Sequence, residues 1–132
     1  MNDKLFVYGT LLDRSNQYGV YLKDNSILCS KGKINGRLYD IGEYPGAVLT
    51  SEGEEYVYGL VFKLKDPEEA LVVLDEYEGF GADQPQPNEF IRVLTRAETQ
   101  SGLVDCWIYV YNMPYQNLPR IASGNYLGIA FL

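Results

Sequence analysis

Histidine is absent from this chain of 132 residues, and cysteine, methionine and tryptophan are scarce at two, two and one. Without histidine there can be no Ser-His-Asp or Cys-His arrangement, no histidine metal site and no proton carrier of ordinary neutral pKa. Cys29 and Cys106 lie far apart and outside any CxxC spacing, so neither a zinc site nor a disulfide framework is expected. Positive charge is also short. Eleven Lys and Arg face eighteen Asp and Glu, a net charge of -7. Such a surface repels phosphate backbones and anionic lipid, so no nucleic acid and no membrane is expected as partner. The longest apolar runs, such as Leu5-Phe6-Val7-Tyr8 and Leu71-Val72-Val73-Leu74, fall far short of a membrane span. Residues 1–4 carry no basic stretch leading into a long apolar one, which argues for the cytoplasm. An enzyme of this composition must take its acid–base group from Asp, Glu, Tyr, Lys or Cys, and the acids dominate that set.

Hydrophobic residues make up 46% of the chain and charged residues 22%, ordinary globular values that exclude wholesale disorder. The length favours one domain, 1–132, able to bury roughly two-thirds of its unfolded surface without metals or disulfides. Residues 4–8 read as a buried strand that opens into a turn at Gly9. Residues 13–22 are polar with scattered apolar positions and are assigned a short helix. Residues 27–40 alternate loosely and read as one or two strands. Pro45-Gly46 marks a loop over residues 42–46, residues 47–49 restart a strand, and residues 51–55 form a polar hairpin tip. The clearest strand is 56–64, rich in β-branched and aromatic residues. Its central Gly59 points to a bulge or a close backbone approach.

Asp66-Pro67-Glu68-Glu69 then starts a helix, with Asp66 as N-cap, Pro67 at the first helical position and acids at the positive end of the dipole. Ala70, Val73, Leu74 and Tyr77 make its apolar face, and Gly79 stops it. Residues 80–88, with Pro85 and Pro87, are a loop. Residues 89–95 and 104–111 are strands joined by a polar turn over 98–102. Residues 112–118 cross irregularly, and the tail, 120–132, packs back onto the body. Many short strands and one good helix indicate an α+β fold: a small, mainly antiparallel, barrel-like sheet flanked by one or two helices.

Two segments carry candidate chemistry. Asp75, Glu76 and Glu78 crowd the last turn of the helix at 67–78, the negative end of its dipole, where stability alone would favour Lys or Arg. Asp75 and Glu76 suit a solvated acidic face. Glu78 follows Tyr77 on the apolar face and lies four residues after Leu74, so one side of it points toward the core. Burial, the dipole and neighbouring acids all raise its pKa toward the range a general base needs. The turn at Gly9 admits two readings: an ordinary strand end, or a row of free N–H groups for a carboxylate or an oxyanion. Arg92 is expected to pair an acid such as Asp75 rather than hold a substrate carboxylate. Cys106 reads as a buried small hydrophobe.

Together these segments resemble the γ-glutamylcyclotransferase-like family, which includes the γ-glutamylamine cyclotransferases and AIG2-like proteins. Tyr8-Gly9-Thr10-Leu11 after an apolar strand is similar to the family's signature loop. Leu74-Asp75-Glu76-Tyr77-Glu78-Gly79 resembles its second signature, whose acid before the glycine is catalytic. Further blocks match in order: Gly36-Arg37-Leu38-Tyr39-Asp40 with Tyr44-Pro45-Gly46, Phe90-Ile91-Arg92, Trp107-Ile108-Tyr109-Val110-Tyr111, and Ser123-Gly124-Asn125-Tyr126. Phe90 stands where the family usually has tyrosine, and Asn125-Tyr126 replaces a common Asp-Trp.

The resemblance implies cyclisation of a γ-glutamyl amine or peptide to 5-oxoproline with release of the amine. Glu78 would be the general acid/base, and Tyr8, Gly9, Thr10 and Leu11 would bind substrate. Tyr39, Tyr44, Phe90 and Tyr126 are candidates for the pocket lining. The implied partner is a small-molecule γ-glutamyl substrate, with no metal and no cofactor, and a monomer is expected. The loop at 80–88 follows Glu78 directly and is expected to reshape the pocket mouth. The alternative from another class is a catalytically silent module that binds a small carboxylate or a protein segment on the same fold.

Overall fold

The computed structural model describes residues 1–12, 16–51, 53–126 and 128. Six strands and two helices follow in the order β1 (Lys4–Val7), α1 (Gln17–Asp24), β2 (Ser26–Asp40), β3 (Pro45–Leu49), β4 (Tyr56–Leu64), α2 (Pro67–Glu78), β5 (Phe90–Thr99) and β6 (Gly102–Tyr111). A short 3-10 turn, Thr10–Leu12, follows β1. The sheet order is β3-β2-β4-β1-β6-β5, and β2 also pairs with β5 through Gly32↔Thr99 and Lys33↔Glu98. That pairing closes five strands into a ring and leaves β3 appended to β2. All ladders are antiparallel except β1 with β6. The fold is therefore α+β, a closed barrel-like sheet with two helices.

The period-two rule explains how two cores arise from one ring. Phe6, Ile34, Val57, Val61, Cys106 and Ile108 point into the barrel. On the outer face Leu5, Val7 and Tyr109 meet Leu71 and Leu74 of α2 and Leu22 of α1. β1 reads as an unbroken apolar run because both of its faces are covered. Gly59 sits where a Cβ would lie 2.4 Å from the Val7 carbonyl and 2.8 Å from the Phe6 ring. The sequence expectation of a close approach is met there: the missing side chain leaves room for Phe6.

The helix start at α2 follows the sequence signals. Asp66 caps it, Pro67 opens it, and Gly79 closes it in the left-handed conformation at φ 73°. The buried face differs from expectation. Ala70, Leu71 and Leu74 are buried, whereas Val73 is only half-buried. The helix is rolled by about one residue relative to the expected face, because Leu71 and not Val73 meets the outer core. The roll matters for the site: 71, 74 and 78 follow one helical stripe, so Glu78 is carried inward with the leucines.

Other expectations shift at their edges. Residues 27–40 belong to one long strand, β2, whose register slips between Leu28 and Ser30, placing a bulge at Cys29. β3 begins at Pro45, inside the expected loop. The β5–β6 hairpin is longer and its turn tighter than expected, since polar pairs such as Arg96–Asp105 continue the ladder beyond the core. The short helix is α1, starting at Gln17 with Asn16 as cap. Residues 13–15 of the expected helix, residue 52 of the hairpin tip, and 127 and 129–132 of the tail lie outside the described residues. The preceding part of the tail does pack back. The N–H of Ile121 donates to Leu38 O at 2.8 Å, and that of Tyr58 to Gly124 O at 2.9 Å. Among the described residues no helix is long and apolar enough to cross a membrane.

Candidate active site

A cavity of about 190 Å³ opens between the end of β1, the turn after it, the start of β3, the last turn of α2 and the start of β5. The volume is small against the roughly 300–1,000 Å³ of drug-sized sites and suits one group the size of an amino acid. Glu78 and residues 8–11 line it together, as do Tyr44 and Phe90. Tyr39 and Tyr126 do not. The Tyr39 ring is buried on the far side of β2 against Tyr115, centroids 5.1 Å apart, and Tyr126 lies exposed in the tail. The loop at 80–88 adds no lining residue either. It curls around Asn88, whose side chain accepts from Gly81 N and donates to Gly81 O and Pro85 O, so the loop binds itself instead of the cavity.

Glu78 is half-buried and takes no hydrogen bond from any described residue. Burial first, then the charges of Glu89 and Asp75, push its carboxyl up from 4.5 to about 8. The negative end of α2 acts in the same direction. Nothing cationic offsets this, because no Lys or Arg lines the cavity among the described residues. Arg92 is the nearby candidate, and it is committed elsewhere as the sequence suggested. Its Nε and Nη2 donate to Asp75 Oδ1 and Oδ2 at 2.7 and 3.1 Å, and its guanidinium lies 4.3 Å from the Trp107 ring. The Tyr109 hydroxyl also donates to Asp75 Oδ1, at 2.7 Å. Asp75 is thus held from two strands, which ties the last turn of α2 to the sheet directly beside Glu78.

The opposite wall is backbone. None of the N–H groups of Gly9, Thr10 and Leu11 has an acceptor among the described residues, as expected at the start of a 3-10 turn. Gly9 has a packing reason as well: a Cβ there would come within 2.8 Å of the Pro45 ring. The Tyr8 side chain turns inward. Its buried hydroxyl donates to Tyr109 O at 2.6 Å and accepts from Ala47 N at 3.1 Å, and burial holds its pKa well above the usual tyrosine range. Tyr8 therefore shapes the wall while its hydroxyl is spent inside the barrel. Thr10 is fixed by its side chain, whose Oγ1 lies 2.6 Å from the Tyr77 hydroxyl, itself bonded by Asn16 Nδ2 at 3.0 Å. Tyr77 joins the turn to α2 one residue before Glu78.

Sequence reasoning did not single out Glu89. It lines the cavity at the mouth of β5, and its Oε2 accepts from the Tyr44 hydroxyl at 2.6 Å. The only sequence signal was position, one residue before Phe90. The partner Tyr44 lies 45 residues away in the chain and meets it only through the fold. Among the described residues no group of three or more His, Cys, Asp or Glu is arranged to hold a metal ion. The arrangement supplies a carboxyl poised near neutrality and free backbone donors across a small cavity, which suits proton transfer beside a developing oxyanion.

Comparison with known proteins places the chain among relatives of one family. The sequence model of the family described as "Gamma-glutamyl cyclotransferase, AIG2-like" matches residues 5–128. The "Gamma-glutamylcyclotransferase family protein ytfP" of Citrobacter rodentium is 34% identical over 125 residues, covering 94% of this chain and 95% of that protein. The solution structure of protein ytfP from Escherichia coli superposes with a TM-score of 0.66 at 32% identity, covering 95% of this chain and 96% of the other. The crystal structure of YkqA from Bacillus subtilis gives a TM-score of 0.69 at 28% identity, covering 95% of this chain and 39% of that longer one.

Proposed function

The chain belongs to the γ-glutamyl cyclotransferase, AIG2-like family, and from that premise we propose that it cyclises a γ-glutamyl amine or peptide to 5-oxoproline, with Glu78 as general acid/base. The observation that carries the reading is the pairing, in one cavity, of a half-buried Glu78, pushed up to about 8, with the N–H groups of Gly9, Thr10 and Leu11, none of which has a hydrogen-bond partner among the described residues.

The chemistry needs no protein nucleophile. The substrate's α-ammonium gives one proton to Glu78, and the freed amine attacks the γ-carbonyl carbon. A C–N bond forms and closes a five-membered ring while the oxygen gathers charge at the N–H groups of the turn. The ring nitrogen then loses a second proton, and the old C–N bond breaks. Both protons end on the departing nitrogen, one of them by way of Glu78, and the amine leaves as an ammonium beside 5-oxoproline. An α-amino group titrates near 8, so a partner at about 8 makes the first transfer nearly level. An ordinary glutamate near 4.3 would meet an uphill transfer of about 5 kcal/mol, at roughly 1.4 kcal/mol per pKa unit. Because the attack is intramolecular, holding the chain folded in a small cavity recovers much of the entropic barrier.

The test separates cyclisation from hydrolysis and from silence. The protein is incubated with γ-glutamyl amines, γ-glutamyl dipeptides and glutathione in oxygen-18 water, and products are read by mass spectrometry. The reading expects unlabelled 5-oxoproline. Labelled glutamate would replace it with hydrolysis, and the absence of any product alongside measurable binding would favour a binding module.

A further inference from the structure

Among the described residues both charged side chains on the cavity wall are carboxylates, and they stand on different walls: Glu78 on α2 and Glu89 just before β5. The first is taken up by the acid–base work proposed above. The second has no part in that chemistry, yet it is held in place. Tyr44 donates to its Oε2 at 2.6 Å, and its Oε1 has no donor among the described residues. The surroundings are aromatic. The rings of Tyr44 and Tyr111 flank Phe90, with centroids 5.9 and 5.5 Å away. A fixed carboxylate oxygen beside aromatic faces matches an alkylammonium, whose methylenes lie on the rings and whose charge meets the acid. It repels a second carboxylate, and no Lys or Arg on the described wall would offset that repulsion.

We infer that Glu89, fixed by Tyr44, selects γ-glutamyl compounds whose leaving amine carries a second positive charge, such as γ-glutamyl diamines, over those whose leaving group carries a carboxylate. This rests on the cyclisation reading for its reaction, and on the placement of Glu89 for its specificity. The γ-glutamyl unit fills the cavity between Glu78 and the turn at 9–11, and the leaving group runs out through the mouth past Glu89. The rise in the Glu78 pKa, in which Glu89 is the larger of the two charge effects, is consistent with a cavity that favours cations.

Three substrates of equal length isolate the charge: γ-glutamyl-1,4-diaminobutane, γ-glutamyl-pentylamine and γ-glutamyl-5-aminopentanoate, ending in ammonium, methyl and carboxylate. At low salt kcat/KM is expected to fall in that order by about tenfold per step. Glu89→Gln is expected to bring the ammonium-to-methyl ratio down to about one, and added salt to shrink the ratio in the unmodified protein. A purely structural loss would lower all three rates together and leave the ratio unmoved. A ratio near one in the unmodified protein, or a ratio that survives Glu89→Gln, overturns the inference while leaving the cyclisation reading in place. If no 5-oxoproline forms from any member, the cyclisation reading falls instead. The same series is then compared by calorimetric affinity, where equal binding of the three compounds overturns the charge selection and the ammonium-first order upholds it.

Discussion

Replacing Glu78 with glutamine separates what the fold wants from what the chemistry needs. The Glu78 carboxyl is pushed from 4.5 to about 8 in the folded protein, so the native state keeps a proton that the unfolded chain releases. The sign follows from linkage: stability is fully present below the unfolded pKa and is lost as pH rises through the folded one. Between about pH 5 and pH 8 the loss amounts to at most about 4 kcal/mol, at roughly 1.4 kcal/mol per pH unit. Glu78 is half-buried and faces a cavity, and water there halves the effect to about 2 kcal/mol. Glutamine has nearly the same shape and no charge, so Glu78→Gln escapes this loss. The variant should melt close to the unmodified protein near pH 5 and about 5–10 °C above it near pH 8.5. Thermal denaturation of both proteins at the two pH values is the assay. A constant difference between them, or an unmodified protein that gains on the variant as pH rises, would refute the placement of Glu78 as an unsatisfied acid. Asp75, Glu89, Tyr8 and Tyr109 face the same carboxyl, and the charges of Glu89 and Asp75 are the ones that add to burial in raising it.

Arg92→Ala leaves Asp75 without its two-pronged partner at a site where both side chains are at most 20% exposed, and should cost about 2–3 kcal/mol in urea unfolding. Arg92→Lys should recover only part of that, since lysine cannot reproduce the paired donors. Gly59→Ala forces a methyl group against the Val7 carbonyl and the Phe6 ring, so a loss of about 3 kcal/mol or more is expected, with the melting temperature as readout. Tyr77→Phe removes the hydroxyl that joins Thr10 and Asn16, and should lower unfolding free energy by about 1 kcal/mol while raising KM for γ-glutamyl substrates as the turn at 9–11 loosens.

Local signals in the sequence carried local structure. The Asp66, Pro67 and Gly79 signals marked the limits of α2 because capping depends on a few neighbouring residues. The match of Arg92 to Asp75 was legible because a strand arginine in so acidic a chain is expected to pair an acid. Glu78 was legible as an acid in the wrong half of a helix dipole, and the family resemblance sharpened that reading. What pattern alone did not reveal depends on closure. The pairing of Gly32 with Thr99 joins residues 67 apart, and the inward turn of Tyr8 follows from which face of β1 lies inside the ring. Tyr39 reads as a lining aromatic in sequence, yet its face of β2 points away from the cavity. Glu89 lacks a sequence mark because its meaning comes from Tyr44, which reaches it from the bend before β3. The pattern leaves the helix face open between Val73 and Leu71, which are equally apolar, and only packing against the outer core chooses Leu71.

The measurement that bears most directly on the account is the rate of 5-oxoproline formation by the unmodified protein and by Glu78→Gln, with the variant first shown to be folded by its melt. The account predicts steady 5-oxoproline release from the unmodified protein and a fall of about 10²–10⁴-fold in the variant, the range of a lost general acid/base. A folded Glu78→Gln protein that still forms 5-oxoproline within about threefold of the unmodified rate would contradict it, far below any general acid/base loss.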